Sequence, residues 1–269
     1  MKNMDELSVS SCLFSQTPGK KLSLAQQAQI ILDAGINWME LSEYETPEPE
    51  FAELARSGIN IWAVHGMLGM KSISPDPAER DAAVEAAYVH AAKRAGFAPC
   101  PLVEHYLDRH SDPEIGKRYR DSIWKLYEKV SKLGYILCIE TAPYKPLQYD
   151  RHPDSAEIAD FVRSFGKDDL QVIVDFNHSN LAEDLADTAK NTRGLVKSVH
   201  ISNNYGEKEQ HLPPHDGIID LKYAWDAFRA NGYSGPCNLE FRFPNGGVDP
   251  NTAMLKEVKA YMEKLLWNK

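Results

Sequence analysis

Seven short apolar runs of the chain end in side chains that can bind a cation or move a proton. They read Glu40-Leu41-Ser42-Glu43, Val64-His65-Gly66, Val103-Glu104-His105, Cys138-Ile139-Glu140-Thr141, Val174-Asp175-Phe176-Asn177-His178, Val199-His200-Ile201-Ser202 and Leu239-Glu240-Phe241-Arg242. Ionisable groups at the ends of apolar strands cost heavily if buried without partners. A divalent cation removes that cost, because carboxylates and imidazoles from different strands can share one positive centre. Glu140, Asp175, His200 and Glu240 form such a set. Three carboxylates and one imidazole make a hard, oxygen-rich shell suited to Mn²⁺, Mg²⁺ or Co²⁺ and compatible with Zn²⁺.

Other polar residues have plainer readings. Glu40 reads as a rim residue, an ion-pair partner or a helix cap, whereas Glu43 sits where a substrate would approach. His90, His110 and His152 read as solvated surface. His65 and His105 are either satisfied histidines of the site wall or substrate contacts. Among the aromatics near strand ends, Phe14, Trp38, Trp62, Tyr106 and Tyr144, the two tryptophans read as core, while Tyr106 and Tyr144 are the pocket candidates.

Eight apolar segments of strand length can hold these groups: Leu7–Phe14, Trp38–Ser42, Asn60–Val64, Leu102–Leu107, Ile136–Thr141, Gln171–Asp175, Val196–Ser202 and Asn238–Phe241. Several are continuous apolar runs, as buried parallel strands are. Helical patterns lie between many of them. One opens at Ser23 and closes at Gly35, and a second runs from Asp76-Pro77 to Gly96. Others span Ile115 to Gly134, Ser155 to Gly166, Leu221 to Gly232 and Thr252 to Trp267. This β–α alternation implies a parallel sheet with helical crossovers, and eight units favour a single closed (β/α)8 TIM barrel, class α/β, over residues 1–269. The length of 269 residues suits that fold, which takes ~250. Residues at the C-terminal strand ends of such a barrel face the catalytic mouth.

Composition sets further bounds. With 43% hydrophobic and 26% charged residues the chain is globular, and its net charge of -9 disfavours a nucleic-acid partner. No run approaches the ~20 apolar residues of a membrane span, and the N-terminus lacks a signal-peptide core. Cys12, Cys100, Cys138 and Cys237 form no CxxC pair and read as reduced core residues of a cytoplasmic protein. No GxGxxG or GxxxxGK[ST] motif follows a strand. The reading leaves room for a homo-oligomer.

Ile139-Glu140-Thr141, Val174-Asp175-Phe176-Asn177-His178, Val199-His200-Ile201 and Leu239-Glu240-Phe241 resemble motifs of the xylose-isomerase-like barrel superfamily of sugar isomerases, epimerases and AP endonucleases. Asp216-Gly217-Ile218-Ile219-Asp220 looks like its Gly-rich turn after strand seven. The resemblance implies that Glu140, Asp175, His200 and Glu240 hold a metal. It makes His178 a substrate-binding residue and puts His211 where sugar epimerases often have an arginine. Pro214-His215-Asp216-Gly217 departs from the usual Pro-Gly-x-Gly.

The resemblance therefore implies a metal-dependent isomerase or epimerase acting on a small carbohydrate, a keto-sugar or polyol. Glu240 would take a proton from one face of the substrate and Glu140 return one on the other, through an enediolate-type intermediate. His65, His105, His178, His211, Glu43 and Tyr106 are the expected substrate contacts. Three alternatives use the same residues. A dehydratase or lyase would expel a neighbouring hydroxyl, and a sugar-binding module would do no chemistry. An AP endonuclease would use His65, His105 and Glu209-Gln210-His211 for further ions, but the acidic chain lacks basic or wedge-like loops to grip DNA.

Overall fold

The structure is a computed structural model, describing residues 4–15, 22–42, 46–142, 149–243 and 250–269. Its centre is a closed barrel of eight parallel strands in sequence order. They are β1 (Leu7–Ser10), β2 (Trp38–Leu41), β3 (Asn60–His65), β4 (Pro101–His105), β5 (Ile136–Glu140), β6 (Leu170–Asp175), β7 (Val196–Ile201) and β8 (Cys237–Leu239). Pairing of β1 with β8 closes the ring.

Helices pack outside. They are α1 (Leu24–Asp33), α2 (Glu48–Arg56), α3 (Pro77–Ala92), α4 (Pro113–Val130), α5 (Ser155–Arg163), α6 (Phe176–Ser179), α7 (Leu185–Asn191), α8 (Leu221–Ala230) and α9 (Thr252–Trp267). Their starts follow local chemistry. Ser23 and Gln26 form a reciprocal cap on α1, and Asp76 and Asp112 cap helices that begin with proline. α4 then buries Tyr119, Ile123, Leu126 and Val130, a helical spacing that lays one apolar face on the barrel.

The expected strand–helix order holds, with adjustments. Strand one stops at Ser10, and Ser11–Phe14 turns into a short 3-10 helix. The crossovers α2 and α7 were not expected. At 9 and 7 residues they are too short to show a repeating apolar pattern.

The pleat explains the placement of the polar residues. Ala63, Val103, Cys138 and Ile173 form a small apolar cluster of their own, apart from the main core that lies between strands and helices. Two residues further along the same strands come His65, His105, Glu140 and Asp175. Side chains two apart leave the same face of a strand. The barrel is thus plugged by a small apolar layer, and the next layer towards the C-terminal strand ends is ionisable. All four cysteines are buried and free. No helix among the described residues is long and apolar enough to cross a membrane.

Candidate metal centre and active site

Glu140, Asp175, His200 and Glu240 are brought together: one ligand atom from each lies within 4.8 Å of the others, and all four residues are buried. Strand register sets part of this, since Asp175 pairs with His200 and Glu140 with His105 across neighbouring strands. Nδ1 of His200 stands 2.7 Å from Glu140 and 2.9 Å from Glu240. One oxygen of Asp175 accepts the backbone N–H groups of Asn177 and His178, capping α6. Its other oxygen, Oδ2, is buried without a hydrogen-bond partner. So is Oε2 of Glu140, although His105 Nε2 lies 2.9 Å away out of hydrogen-bond alignment.

These features pass the test for a divalent ion. Buried carboxylate oxygens left without a donor are costly, and the two orphaned atoms belong to the set whose ligand atoms converge. The buried His, Glu and Asp cluster can hold a metal ion. Electrostatics point the same way. Burial disfavours charge on Glu140, yet His200 and His105 outweigh it and hold its carboxyl well below the usual range. Burial is likewise outweighed at His200, where Glu40, Glu240 and Glu140 hold the ring well above its usual value. Of the three carboxylates in the quartet only Asp175 moves up, because burial exceeds the help of His178 and His211. The acidic groups are arranged around a positive charge.

Of the three plain readings of Glu40, the ion-pair partner holds, whereas the rim residue and the helix cap do not. Glu40 is fully buried on the inward face of β2, 2.9 Å from His200 Nε2, 3.1 Å from His65 Nε2 and 2.8 Å from the Asn238 amide. A carboxylate only accepts, so it fixes a proton on Nε2 of His200 and turns Nδ1 towards the quartet. The His65 and His200 rings stack at 5.3 Å.

The other expected contacts divide. His65 joins the cluster through Glu40 and lies 3.8 Å from Glu240. His105 stays 43% exposed at its side chain and so faces the mouth. Nδ1 of His178 donates to the Thr141 carbonyl, which leaves Nε2 towards Asp175 at 3.5 Å. His211 has a left-handed backbone, φ 49°, uncommon for histidine. Its ring meets Ser202 and Glu209 and crosses that of His178 edge-on. Glu209 therefore ties the two histidines together, and both carry raised proton affinity despite burial, His178 to about 9. Asp175, His178 and His211 form a second convergent donor set.

Tyr106 is a correction. Its ring packs on Tyr119 and Phe161 and its hydroxyl donates to Glu157, so it belongs to the layer between barrel and helices. Phe14 is likewise core. Glu43 and Tyr144 lie outside the described residues. His90 is buried, not solvated: Nε2 donates to the His65 carbonyl at 3.0 Å. His152 is half-buried, and His110 is partly exposed beside Asp150. His215 is exposed and its ring meets Tyr261 of α9, not the cluster. The turn it belongs to still requires Gly217, where a Cβ would strike the Asn203 side chain and the Asn204 carbonyl.

No curated protein matches the chain by sequence. Solved structures share the fold at low identity. A D-psicose 3-epimerase determined in the presence of D-fructose has TM-score 0.77 at 17% identity, covering 97% of this chain and 99% of that one. An L-ribulose 3-epimerase gives 0.77 at 18%, covering 98% and 95%. A 3-keto-D-glucoside 4-epimerase from E. coli gives 0.75 at 16%, covering 97% and 100%. The family model described as xylose isomerase-like TIM barrel matches residues 28–265. With that match across most of its length and the closed eight-stranded barrel, this chain belongs to the xylose isomerase-like TIM barrel family.

Proposed function

We propose that this protein is a divalent-metal-dependent isomerase or epimerase of a small carbohydrate, moving a proton beside a carbonyl. The observation that carries the reading is the convergence of Glu140, Asp175, His200 and Glu240 on one buried centre. The activities in the names of the three structural neighbours cited above, each a sugar epimerase, agree with it.

Glu140 and Glu240 come from strand ends separated by β6 and β7 and meet at His200 Nδ1. Two carboxylates approaching a small substrate from different strands suit removal of a proton on one face and its return on the other. Glu240 is assigned the first role and Glu140 the second. A bound divalent ion would stabilise the negative charge that grows on the substrate oxygens as the C–H bond breaks. Acid–base help of this kind contributes ~10²–10⁴-fold. His105, the exposed member, and His178 and His211, held by Glu209, are placed to bind hydroxyls.

One observation favours a second reading. Asp175, His178 and His211 also converge, so the mouth has donors for more than one ion, as phosphodiester cleavage by an AP endonuclease would require. The net charge of -9 argues against a DNA substrate. Incubation with a panel of keto-sugars in D₂O, with divalent ion supplied, separates the readings. Deuterium exchange without loss of water is expected. Loss of water would replace the proposal with a dehydratase, and exchange with no sugar alongside cleavage of abasic DNA would replace it with the nuclease.

A further inference from the structure

Arg242 lies three residues beyond the end of the last strand. Leu239 and Phe241 enter the outer core, while Asn238 and Glu240 point to the barrel axis, reaching Glu40 and His200. Glu240 and Glu209 are among the charges that act on Arg242, so its guanidinium lies on the side of the barrel that holds the quartet and the His178–His211 pair. Its backbone N–H donates to the His211 carbonyl at 2.7 Å, which fixes this segment against the strained turn at His211.

The guanidinium has a poor set of acceptors there. Arg242 is half-buried, and its Nε is out of contact with solvent without a hydrogen-bond partner. Glu240 and Glu209 act on it electrostatically, but Glu240 is engaged by His200 and His65, and Glu209 by His211 and His178. The side-chain hydrogen-bond partner of the guanidinium is the Cys12 thiol, which burial beside Glu240 pushes up to about 12, so it stays neutral and accepts weakly. Buried donors are rarely left unmade. A planar fork of N–H groups at a catalytic mouth is suited to a carboxylate or phosphate, which it grips through two parallel hydrogen bonds.

We infer that Arg242 is a specificity residue that receives an oxyanion of the substrate, making the preferred carbohydrate an acidic one, a sugar carboxylate or a sugar phosphate. This rests on the mouth being a carbohydrate site and adds the class of carbohydrate. The oxyanion would lie beyond Glu240, on the side of the mouth formed by β8 and the His211 turn.

Three probes with the same hydroxylated chain test it by calorimetry on the purified protein: D-gluconate, D-glucitol 6-phosphate and neutral D-glucitol. At least one anionic probe should bind about tenfold or more tighter than glucitol, the scale of a charge-assisted hydrogen bond. Whichever gains shows whether a carboxylate or a phosphate is taken. In Arg242→Gln that advantage should vanish. In Arg242→Lys, which keeps charge without the fork, it should fall only part way. Equal affinity of all three probes for the wild type, or no measurable binding of either anion, overturns the assignment even if Arg242→Gln fails to fold. So does an advantage that survives in Arg242→Gln, since the anion would then be held elsewhere in the site. Solvent deuterium exchange into keto-sugars reports separately on the carbohydrate site: exchange without any preference for acidic probes sinks the Arg242 role alone.

Discussion

Glu40 and His200 face each other across 2.9 Å, on the edge of the imidazole opposite Glu140 and Glu240. The pair makes the orientation of the proposed metal ligand depend on a residue that is not itself among the four. Partners of this kind are worth about 10–100-fold in metal affinity. Glu40→Ala should therefore weaken divalent-ion binding by about that factor in a chelator competition. Unchanged affinity would show that His200 is positioned without it.

Metal content should follow the quartet. Elemental analysis of the purified protein should find about one divalent ion per chain, and its removal should lower the melting temperature as well as abolish turnover. A higher stoichiometry would bring His65, His105 and the Asp175–His178–His211 set into the metal site. Full activity of a metal-free preparation would remove the metal from the account.

The buried acid of β4 predicts a loss of stability as pH rises from about 4.5 to about 8. Glu104 is pushed up to about 8 by burial, which outweighs hydrogen bonds from the Leu68 and Met67 backbone. The folded protein thus holds a proton that the unfolded chain releases near pH 4.5, and stability falls as pH rises from there through about 8. Each pH unit in that window costs up to about 1.4 kcal/mol. Glu104→Gln mimics the protonated acid, so it should flatten the decline and raise the melting temperature at pH 9. A decline as steep as the wild type's between pH 4.5 and 8 in the variant would contradict this.

His90 predicts the opposite limb. Burial, with Arg94 nearby, lowers it to about 4, so the folded protein resists a proton that the unfolded chain accepts near 6.5. Its contribution is present above about pH 6.5 and is lost as pH falls through about 4. In His90→Gln, acid unfolding between those values should be less steep than in the wild type. Identical acid midpoints would show that other groups govern that limb.

The fold was legible because period and length sufficed. β5 and β6 are nearly continuous apolar runs, and helices such as α4 and α9 are long enough to show one apolar face. The quartet was legible for a related reason, since each member ends such a run. Glu40 was not, although it also ends one: its importance comes from Asn238, His65 and His200, partners 25 to 198 residues away in sequence. Tyr106 misled because a residue just past a strand can turn outward, and here it fills the gap beside Tyr119 and Phe161. His90 looked like surface on a helix of mixed polarity, yet its position placed it under the β3 end.

The central claim is that Glu140 and Glu240 exchange protons with a carbohydrate at a divalent ion. The most direct measurement is the rate of deuterium incorporation from D₂O into a turned-over keto-sugar by Glu140→Gln and Glu240→Gln, each folded and loaded with ion. The account predicts that incorporation or product formation falls by ~10² or more in each variant. Near-wild-type exchange and turnover in both would contradict it.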